Sequence, residues 1–430
     1  MKRARIIRAI ATLISALCVA ATTAYAQGAG IEWETLYNEA LELYKAGKYD
    51  RAATLAEKAL QVAEENVGPM HLDVGASLNL LGLIYHAQGD YAKAEPLLKR
   101  SLSIYEKTLG PEHPNVATSL NNLAELYRAQ GDYAKAEPLY KQSLAILEKT
   151  LGPDHPNVAK SLNNLASLYQ DQGDYAKAEP LYKRSLAIRE KTLGPDHPDV
   201  ATSLNNLAGL YYAQGDYAKA EPLLKRSLSI LEKTLGPDHP NVATILNSLG
   251  SLYQAQGDYA KAEPLYKRSL AIREKTLGPD HPDVAKSLNN LAELYRAQGD
   301  YAKAEPLYKQ SLAILEKTLG PDHPDVAKSL NNLASLYQDQ GDYAKAEPLY
   351  KRSLSILEKA LGPDHPDVAT SLNSLGSLYK AQGDYAKAEP LLKRSLSIYE
   401  KTLGPDHPNV ATSLNSLGSL YQAQGDYAKA

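Results

Sequence analysis

One short pattern returns along this chain at a fixed interval of 42 residues. The element Gly-Pro-x-His occurs nine times in the 430 residues, with no insertion or deletion between copies. A strict period of this length is typical of one supersecondary unit stacked on copies of itself, so it predicts a solenoid. The glycines that open the nine elements are Gly68, Gly110, Gly152, Gly194, Gly236, Gly278, Gly320, Gly362 and Gly404.

Each copy contains two segments with the periodicity of an amphipathic helix. In the first, which we call helix A, Leu120, Leu123, Ala124 and Tyr127 fall on one face. The second segment, helix B, begins after Gly131 and repeats the same spacing. Because either helix alone would leave an apolar face in water, the copies are expected to stack as an all-α solenoid of helix pairs.

Turn residues predict where these helices end. Asp132 is placed to cap helix B, and Gly152 to terminate it. Asp154 is the expected N-cap of the next helix A, with Pro156 in its first turn.

Pro138 lies about six residues into helix B and has an equivalent in each complete later copy. A proline there removes one backbone hydrogen bond and is expected to bend the helix. The alternative is that regular helix begins only near Pro138.

The pattern Leu120, Leu123, Ala124, Tyr127, Ala136 and Tyr140 resembles the tetratricopeptide repeat. The 42-residue form, with Leu-Asn-Asn-Leu-Ala and Leu-Gly-Pro-Asp-His-Pro, is similar to the repeats of kinesin light chains over residues 32–430. The resemblance implies a right-handed superhelix of antiparallel helix pairs. Kinesin light chains are cytosolic and carry a coiled-coil segment before their repeats, whereas this chain has none, so a motor function is not implied.

The first residues differ from the rest in composition. A basic start and an apolar run from Ala9 to about Ala24 predict a secretory signal peptide over residues 1–26, cut after Ala26. The run is short of the roughly 20 strongly apolar residues that a membrane span needs, although an uncleaved anchor is the alternative. Cys18, the only cysteine, lies within it after Leu17, which does not favour lipidation.

Residues 27–72 are predicted to form a degenerate capping repeat, and residues 73–430 the tandem repeats. The first helix A carries Trp33, Leu36, Ala40 and Leu43, with Gly47 at its turn. The sequence ends at Ala430, four residues into a helix B, so we expect the array to continue in a longer protein.

Charge disfavours two classes of partner. The net charge of the chain is −3, and removal of the four basic residues of the predicted leader leaves −7. Such a surface is a poor match for nucleic acid. Since acidic and basic residues alternate within each copy, anionic membranes are disfavoured too, and no stable membrane insertion is expected after cleavage of the leader.

The nine histidines of the Gly-Pro-x-His elements invite a metal hypothesis, but packed helices lie about 8–10 Å apart. Histidines of successive copies therefore cannot share an ion that needs ligands at about 2 Å. A structural role at the start of helix A is expected instead.

Every catalytic candidate is likewise repeated and none is unique, so we expect no enzymatic activity, no metal and no cofactor.

The polar face of helix A is the predicted binding surface, because similar faces line the concave groove of tetratricopeptide proteins. Asparagine amides can donate to and accept from a peptide backbone. The alternative is that they bond to the neighbouring helix and fix the spacing of the copies, and Ser248, Ser374 and Ser416 interrupt the series. The predicted groove residues are Asn121, Asn122, Glu125, Arg128, Asn163, Asn164, Asn205, Asn206, Tyr212, Asn289, Asn290, Glu293, Arg296, Asn331, Asn332 and Lys380.

The sequence thus predicts an exported scaffold, periplasmic or secreted, that binds protein or peptide ligands on the concave helix A face. A rival hypothesis makes the repeats the substrate-binding or regulatory arm of a larger enzyme. Similar bacterial arrays are often followed by a caspase-like protease domain, which would lie beyond residue 430.

Overall fold

A computed structural model describes residues 31–430, and the predicted signal peptide lies outside the described residues. Within this part of the chain the secondary structure consists of nineteen α-helices without a strand, which confirms the all-α prediction. The A helices are α1 (31–45), α3 (Leu72–Ala87), α5 (Pro114–Ala129), α7 (Pro156–Asp171), α9 (Pro198–Ala213), α11 (Pro240–Ala255), α13 (Pro282–Ala297), α15 (Pro324–Asp339), α17 (Pro366–Ala381) and α19 (Pro408–Gln424). The B helices are α2 (Tyr49–Val67), α4 (Tyr91–Leu109), α6 (Tyr133–Leu151), α8 (Tyr175–Leu193), α10 (Tyr217–Leu235), α12 (Tyr259–Leu277), α14 (Tyr301–Leu319), α16 (Tyr343–Leu361) and α18 (Tyr385–Leu403).

Helix B is capped as predicted, but helix A is not. The side chain of Asp132 accepts a hydrogen bond from the Lys135 amide at 3.2 Å. The prediction that Asp154 caps the next helix A is wrong, because His155 takes that position and its Nδ1 accepts from the Asn157 amide at 3.1 Å. The structural role expected for the loop histidines is therefore confirmed as capping.

Pro138 lies inside a continuous helix. Helix α6 begins at Tyr133, five residues before the proline, so the alternative in which regular helix starts near Pro138 is wrong. The carbonyl that loses its donor belongs to Ala134, four residues earlier. Ala134 is exposed, so water can satisfy that carbonyl and the cost of the proline is reduced.

The described chain divides into two compact units, and the first comprises residues up to Ser119. Its core is built from small and branched apolar residues, among them Ala40, Ala52, Ala56 and Ile84. At its start the indole Nε1 of Trp33 donates to the Ser77 hydroxyl at 2.8 Å. The single tryptophan thus connects the first helix A to α3, the next one.

In the second unit, from Leu120 to Ala430, two hydrogen bonds recur between neighbouring helices. In the copy of α7 and α8, the buried Ser185 hydroxyl donates to the Ala159 carbonyl at 2.7 Å, which fixes helix B on its own helix A. The Tyr169 hydroxyl donates to Glu137 at 2.9 Å, which connects helix A to the preceding helix B. The equivalent serines are Ser227, Ser269, Ser311, Ser353 and Ser395, and the equivalent tyrosines are Tyr211, Tyr253, Tyr295, Tyr337, Tyr379 and Tyr421.

Curvature within this unit follows from unequal spacing of the two helix layers. The backbones of successive A helices approach each other directly, as α11 and α13 do, and come closer than those of successive B helices. The A helices therefore lie on the inner side of the curve.

Distant parts of the same unit also meet, since His365 Nε2 lies 3.1 Å from the Ala129 carbonyl, 236 residues earlier in sequence.

Among the helices of residues 31–430, none combines the length and the apolar character needed to cross a bilayer.

Three capping histidines make stability depend on pH. Burial lowers the pKa of His281, His365 and His407 below the ordinary value of 6.5. The unfolded chain therefore binds protons more readily at these sites. Their stabilisation is present above pH 6.5 and is lost as the pH falls toward the folded-state values. Protonation also removes the Nδ1 lone pair that accepts the capping hydrogen bond.

We expect the free energy of unfolding, measured by urea denaturation, to fall between pH 7.5 and pH 5.5. Changing all three histidines to Asn, which can also cap a helix, should flatten this dependence. An unchanged slope in the triple variant would show that other groups are responsible.

Candidate functional site

Helix A of several copies carries two adjacent asparagines, such as Asn121 and Asn122 or Asn163 and Asn164. Asparagines of successive copies bond to one another. The Nδ2 of Asn164 donates to Oδ1 of Asn121 at 3.1 Å, and Asn206 donates to Asn163 at 2.9 Å. Farther along the array, Asn332 donates to Asn289 at 3.1 Å. The second asparagine of one copy thus bonds to the first asparagine of the copy before it. This geometry supports the spacing role that the sequence left as an alternative.

Binding capacity nevertheless remains in these pairs. An amide side chain has two donors and two acceptor lone pairs, and each Asn–Asn bond uses one of either kind. Asn163, Asn164, Asn205 and Asn206 are all half-buried, so part of each side chain stays open to a ligand. The same side chains can therefore both space the helices and contact a peptide backbone.

Where serine replaces the second asparagine, the first asparagine of the preceding copy loses its donor. The Oδ1 atoms of Asn205, Asn331 and Asn373 are buried without a hydrogen-bond partner. They precede the three copies that carry serine at the second position, while a fourth, Asn247 Oδ1, is also without a partner although Asn290 follows it. An unsatisfied buried acceptor is destabilising, so these copies are joined less tightly than the others.

Acidic and basic candidates of helix A neutralise one another. Arg128 contacts Glu125 at 2.5 Å and Asp171 of the next copy at 2.7 Å, and the Tyr140 hydroxyl donates to Glu125 at 2.6 Å. Burial favours the uncharged form of Arg128, but its two carboxylate neighbours raise the pKa of the guanidinium above its ordinary value. A closely similar group recurs four copies later, formed by Arg296, Glu293, Asp339 and Tyr308.

Three other copies use a neutral equivalent of this ionic group. Ser167 lies 2.9 Å from the Tyr182 hydroxyl, which bonds in turn to Gln170 at 3.0 Å. The pair Glu and Arg is thus exchanged together for the pair Ser and Gln around one buried tyrosine. A role of these residues in ligand specificity remains a prediction, but the structure shows that they first satisfy each other.

Three cavities lie side by side on the helix A layer of the second unit. One of about 330 Å³ is lined by Tyr212, Tyr259, Tyr266 and Glu293 and reaches Asn290. The next, of about 270 Å³, shares Asn290 and is lined also by Asn289, Leu315, Lys328 and Asn332. The third, of about 290 Å³, shares Lys328 and Asn332 and includes Asn331, Leu357 and Thr370. We call these contiguous cavities the helix A groove.

Tyr212 and Lys380, the last two predicted groove residues, differ in their surroundings. Tyr212 is 40% exposed, and its ring lies 5.7 Å from that of Tyr217. Lys380 is half-buried, with Nζ donating to the Ser419 hydroxyl at 2.9 Å. Only Tyr212 of the two lines the groove as defined above.

Sequence reasoning missed two basic residues that lie between successive A helices. Arg189 of α8 and Arg273 of α12 reach from helix B to Ser203 and Ser287 of the following helix A, at 2.8 and 2.9 Å. Burial lowers the pKa of both guanidinium groups, although nearby aspartates oppose this. The signal was present in the sequence, because leucine occupies this position in four other copies.

No cluster of three or more His, Cys, Asp or Glu side chains able to hold a metal ion occurs in the part of the chain that the structure describes.

Stacked helix pairs with a polar inner layer define the class of this protein as a helical-repeat scaffold. Comparison with protein families then gives the family itself, the tetratricopeptide repeat, and the chain belongs to it. The matched residues are 34–107, 78–149, 117–191, 157–233, 199–275, 241–317, 283–359, 325–401 and 368–430. A comparison with curated proteins gives no match.

Solved structures include two that are similar to this chain in sequence. BtubC (BKLC) from P. vanneervenii is 27% identical, with a TM-score of 0.43 over 54% of this chain and 91% of that one. A putative kinesin light chain of Podosopora anserina with nearly identical TPR-like repeats is 34% identical, with a TM-score of 0.40 over 48% of this chain and 98% of that one. The predicted resemblance to kinesin light chain-like repeats is therefore confirmed.

A third structure shows the fold over a longer span. A Rap protein complexed with competence and sporulation factor has a TM-score of 0.56 over 88% of this chain and 99% of its own, at 17% identity.

We expect Ser248→Asn to restore the missing donor to Asn205 Oδ1. By analogy with the Asn206–Asn163 bond, the gain in the free energy of unfolding should be about 1 kcal/mol. Chemical denaturation of the variant beside the parent measures it. Ser248→Ala, which adds no donor, should show no gain, and an equal effect of both substitutions would contradict the assignment.

Proposed function

We propose that this protein is an exported, non-enzymatic scaffold that binds an extended protein or peptide segment along the helix A groove. The observation that carries the proposal is the continuity of the groove. Its three cavities share lining residues and cross five successive A helices, from α9 to α17. A surface of this form suits a linear ligand better than a small molecule, which would need a single enclosed pocket.

The lining supports backbone recognition. Asn289, Asn290, Asn331 and Asn332 provide amide donors and acceptors at repeated positions, which can pair with a peptide backbone independently of its side chains. Since each amide is already oriented by a bond to the next copy or by burial, little side-chain freedom is lost on binding. Preorganisation of this kind increases affinity.

The family assignment supports a protein–protein interaction scaffold in general terms. In the Rap structure a competence and sporulation factor is bound to a protein of similar fold. At 17% identity this likeness concerns the fold alone, so the peptide ligand of the present chain is argued from its own groove.

Site-specific photo-crosslinking tests the binding surface. Tyr212 lines the groove and is partly exposed, so p-benzoylphenylalanine can replace it with little loss of packing. We expect crosslinks to a protein or peptide of an envelope extract from position 212. Lys183, which is exposed on helix B, is the matched control position and should give none. Labelling from Lys183 alone, or equally from both, would place the binding surface elsewhere.

Export is tested separately. The full sequence, expressed in a Gram-negative bacterium, should be recovered from the periplasm or the medium with an N-terminus at Gln27. N-terminal sequencing of the fractionated protein measures this. Recovery in the cytoplasm with Lys2 still present would refute export and leave the groove proposal intact.

A further inference from the structure

The second unit makes two contacts with itself across six copies of the array. His365, at the start of α17, lies with Nε2 3.1 Å from the carbonyl of Ala129, the last residue of α5. One copy farther along, His407 at the start of α19 bonds to the backbone of Asp171, the last residue of α7. Both contacts join residues 236 apart in sequence, so they follow each other in register.

Two edges of the second unit meet in these contacts. We call the turns between helix A and helix B the turn edge, and the loops that lead from one copy to the next the loop edge. The turns are those of Gly131, Gly173, Gly215, Gly257, Gly299, Gly341 and Gly383, and the loops are those of His155, His197, His239, His281, His323, His365 and His407.

A single imidazole joins the ends of two helices in this contact. Nδ1 of His365 accepts a hydrogen bond from the Asp367 amide at 3.0 Å. In a neutral imidazole this places the proton on Nε2, which therefore donates to the Ala129 carbonyl. The last carbonyls of a helix have no partner within it, so the contact satisfies one group at each of two helix ends.

Glycine makes room for the approaching loop. A Cβ atom at Gly131 would lie 2.8 Å from Cδ of Pro366, and one at Gly173 would lie 2.9 Å from the His407 ring. A cavity of about 360 Å³ lies beside the first contact and is lined by Gln130 on the turn edge and Asp364 on the loop edge, among others. The two edges thus fit each other in shape as well as in hydrogen bonding.

The same chemistry is repeated where no loop is seated. Five further turns carry the Gln-Gly-Asp-Tyr sequence of the turn at Gly131, and among the described residues no atom lies within 4 Å of a Cβ built at their glycines. Their Gln and Gly residues are exposed, whereas Gln130 and Gly131 are half-buried. The glycines of these five free turns are Gly215, Gly257, Gly299, Gly341 and Gly383.

Three loops of the second unit are free in the same sense. His155, His197 and His239 each cap their own helix through Nδ1, and their Nε2 atoms make no hydrogen bond within residues 31–430. The His197 side chain is 41% exposed, whereas His365 is only 8% exposed. All three loops have the Gly-Pro-Asp-His-Pro sequence of the loop at His365.

We propose that the free turn edge binds the free loop edge of a second copy of this chain through the contact that His365 makes with the turn at Gly131. The second copy is the partner because its loops have the sequence already seated at Gly131 and Gly173. Successive turns and successive loops are spaced by the same stacking of copies, so three neighbouring contacts form together. This surface is separate from the helix A groove, and the inference goes beyond the proposed function.

The form of the interface determines the form of the assembly. A turn edge on one chain meets a loop edge on the other, so the interface is heterologous and leaves one edge of each kind unoccupied at the ends. Association is therefore open-ended. Since a stable interface buries about 1,200 Å² or more, one loop alone is insufficient and neighbouring contacts must form together.

Sedimentation velocity over a range of protein concentrations tests the proposal. We expect the purified protein to form species heavier than one chain, in a series that grows with concentration. A single species of one chain at every concentration would overturn the proposal, and so would a closed dimer that does not grow further.

Two variants each remove one side of the interface. The loop variant, H155N/H197N/H239N, keeps a side chain that can cap helix A but lacks the Nε2 donor. The turn variant, Q214E/Q256E/Q298E/Q340E/Q382E, places a carboxylate where the equivalent Gln130 faces Asp364 across the cavity. Each variant alone should sediment as a single chain, with a circular dichroism spectrum like that of the parent.

Mixing the two variants gives the decisive result. The loop variant retains its turn edge and the turn variant retains its loop edge, so the equimolar mixture should form a species of two chains and no larger one. Such complementation also shows that both variants are folded. A mixture that remains monomeric, although both spectra are unchanged, would refute the pairing of the two edges.

A charge control completes the test. K183Q/K225Q/K267Q/K309Q/K351Q changes the net charge by the same amount as the turn variant, but on the exposed face of helix B. It should associate like the parent. Equal loss of association in this control would indicate a general charge effect and overturn the proposed interface.

Discussion

No helix pair in this protein can bury its own apolar face. Helix A of each copy packs on its own helix B and also on the helix B before it, so the core is continuous from one copy to the next. A buried serine hydroxyl bonded to a helix A carbonyl fixes the first of these contacts, and a tyrosine bonded to a glutamate fixes the second. Every other feature of the molecule depends on this repeated register, because it sets which residues can meet on the inner layer.

Because all copies share this register, the residues of the inner layer differ between copies at only a few positions. In the copies that carry the buried tyrosine, Glu125 and Arg128 are exchanged together for Ser and Gln, which keeps the tyrosine hydroxyl satisfied. Leucine and arginine are exchanged at the base of the inner layer without any change in the helices. The first exchange replaces an acid and a base together and leaves the net charge of the copy unchanged, whereas the second adds a positive charge near Asp199 or Asp283.

The fold could be predicted from the sequence because a period of 42 residues leaves one solution, and helix B is capped where Asp132 predicted. Two local errors have physical causes. Asp154 is a good capping residue by type, but the turn places the imidazole of His155 over the free amide instead. Pro138 breaks a helix in principle, yet its orphaned carbonyl faces water and the helix continues.

The candidate site was predicted less completely. The asparagine positions were found, but their mutual bonds depend on the offset between adjacent helices, which a single sequence does not define. Arg189 and Arg273 went unnoticed because helical periodicity assigns their position to the apolar face, where a charge looks like an exception. Comparing the copies column by column, rather than along the chain, would have found them.

The contact between His365 and Ala129 has a consequence for access to the groove. Around it, Pro366 lies against Gly131 and His407 against Gly173, so the two edges of the second unit touch after one turn of its coil. These contacts restrict the space in front of the inner layer over that stretch. The restriction favours an extended segment over a folded domain as the partner of that layer.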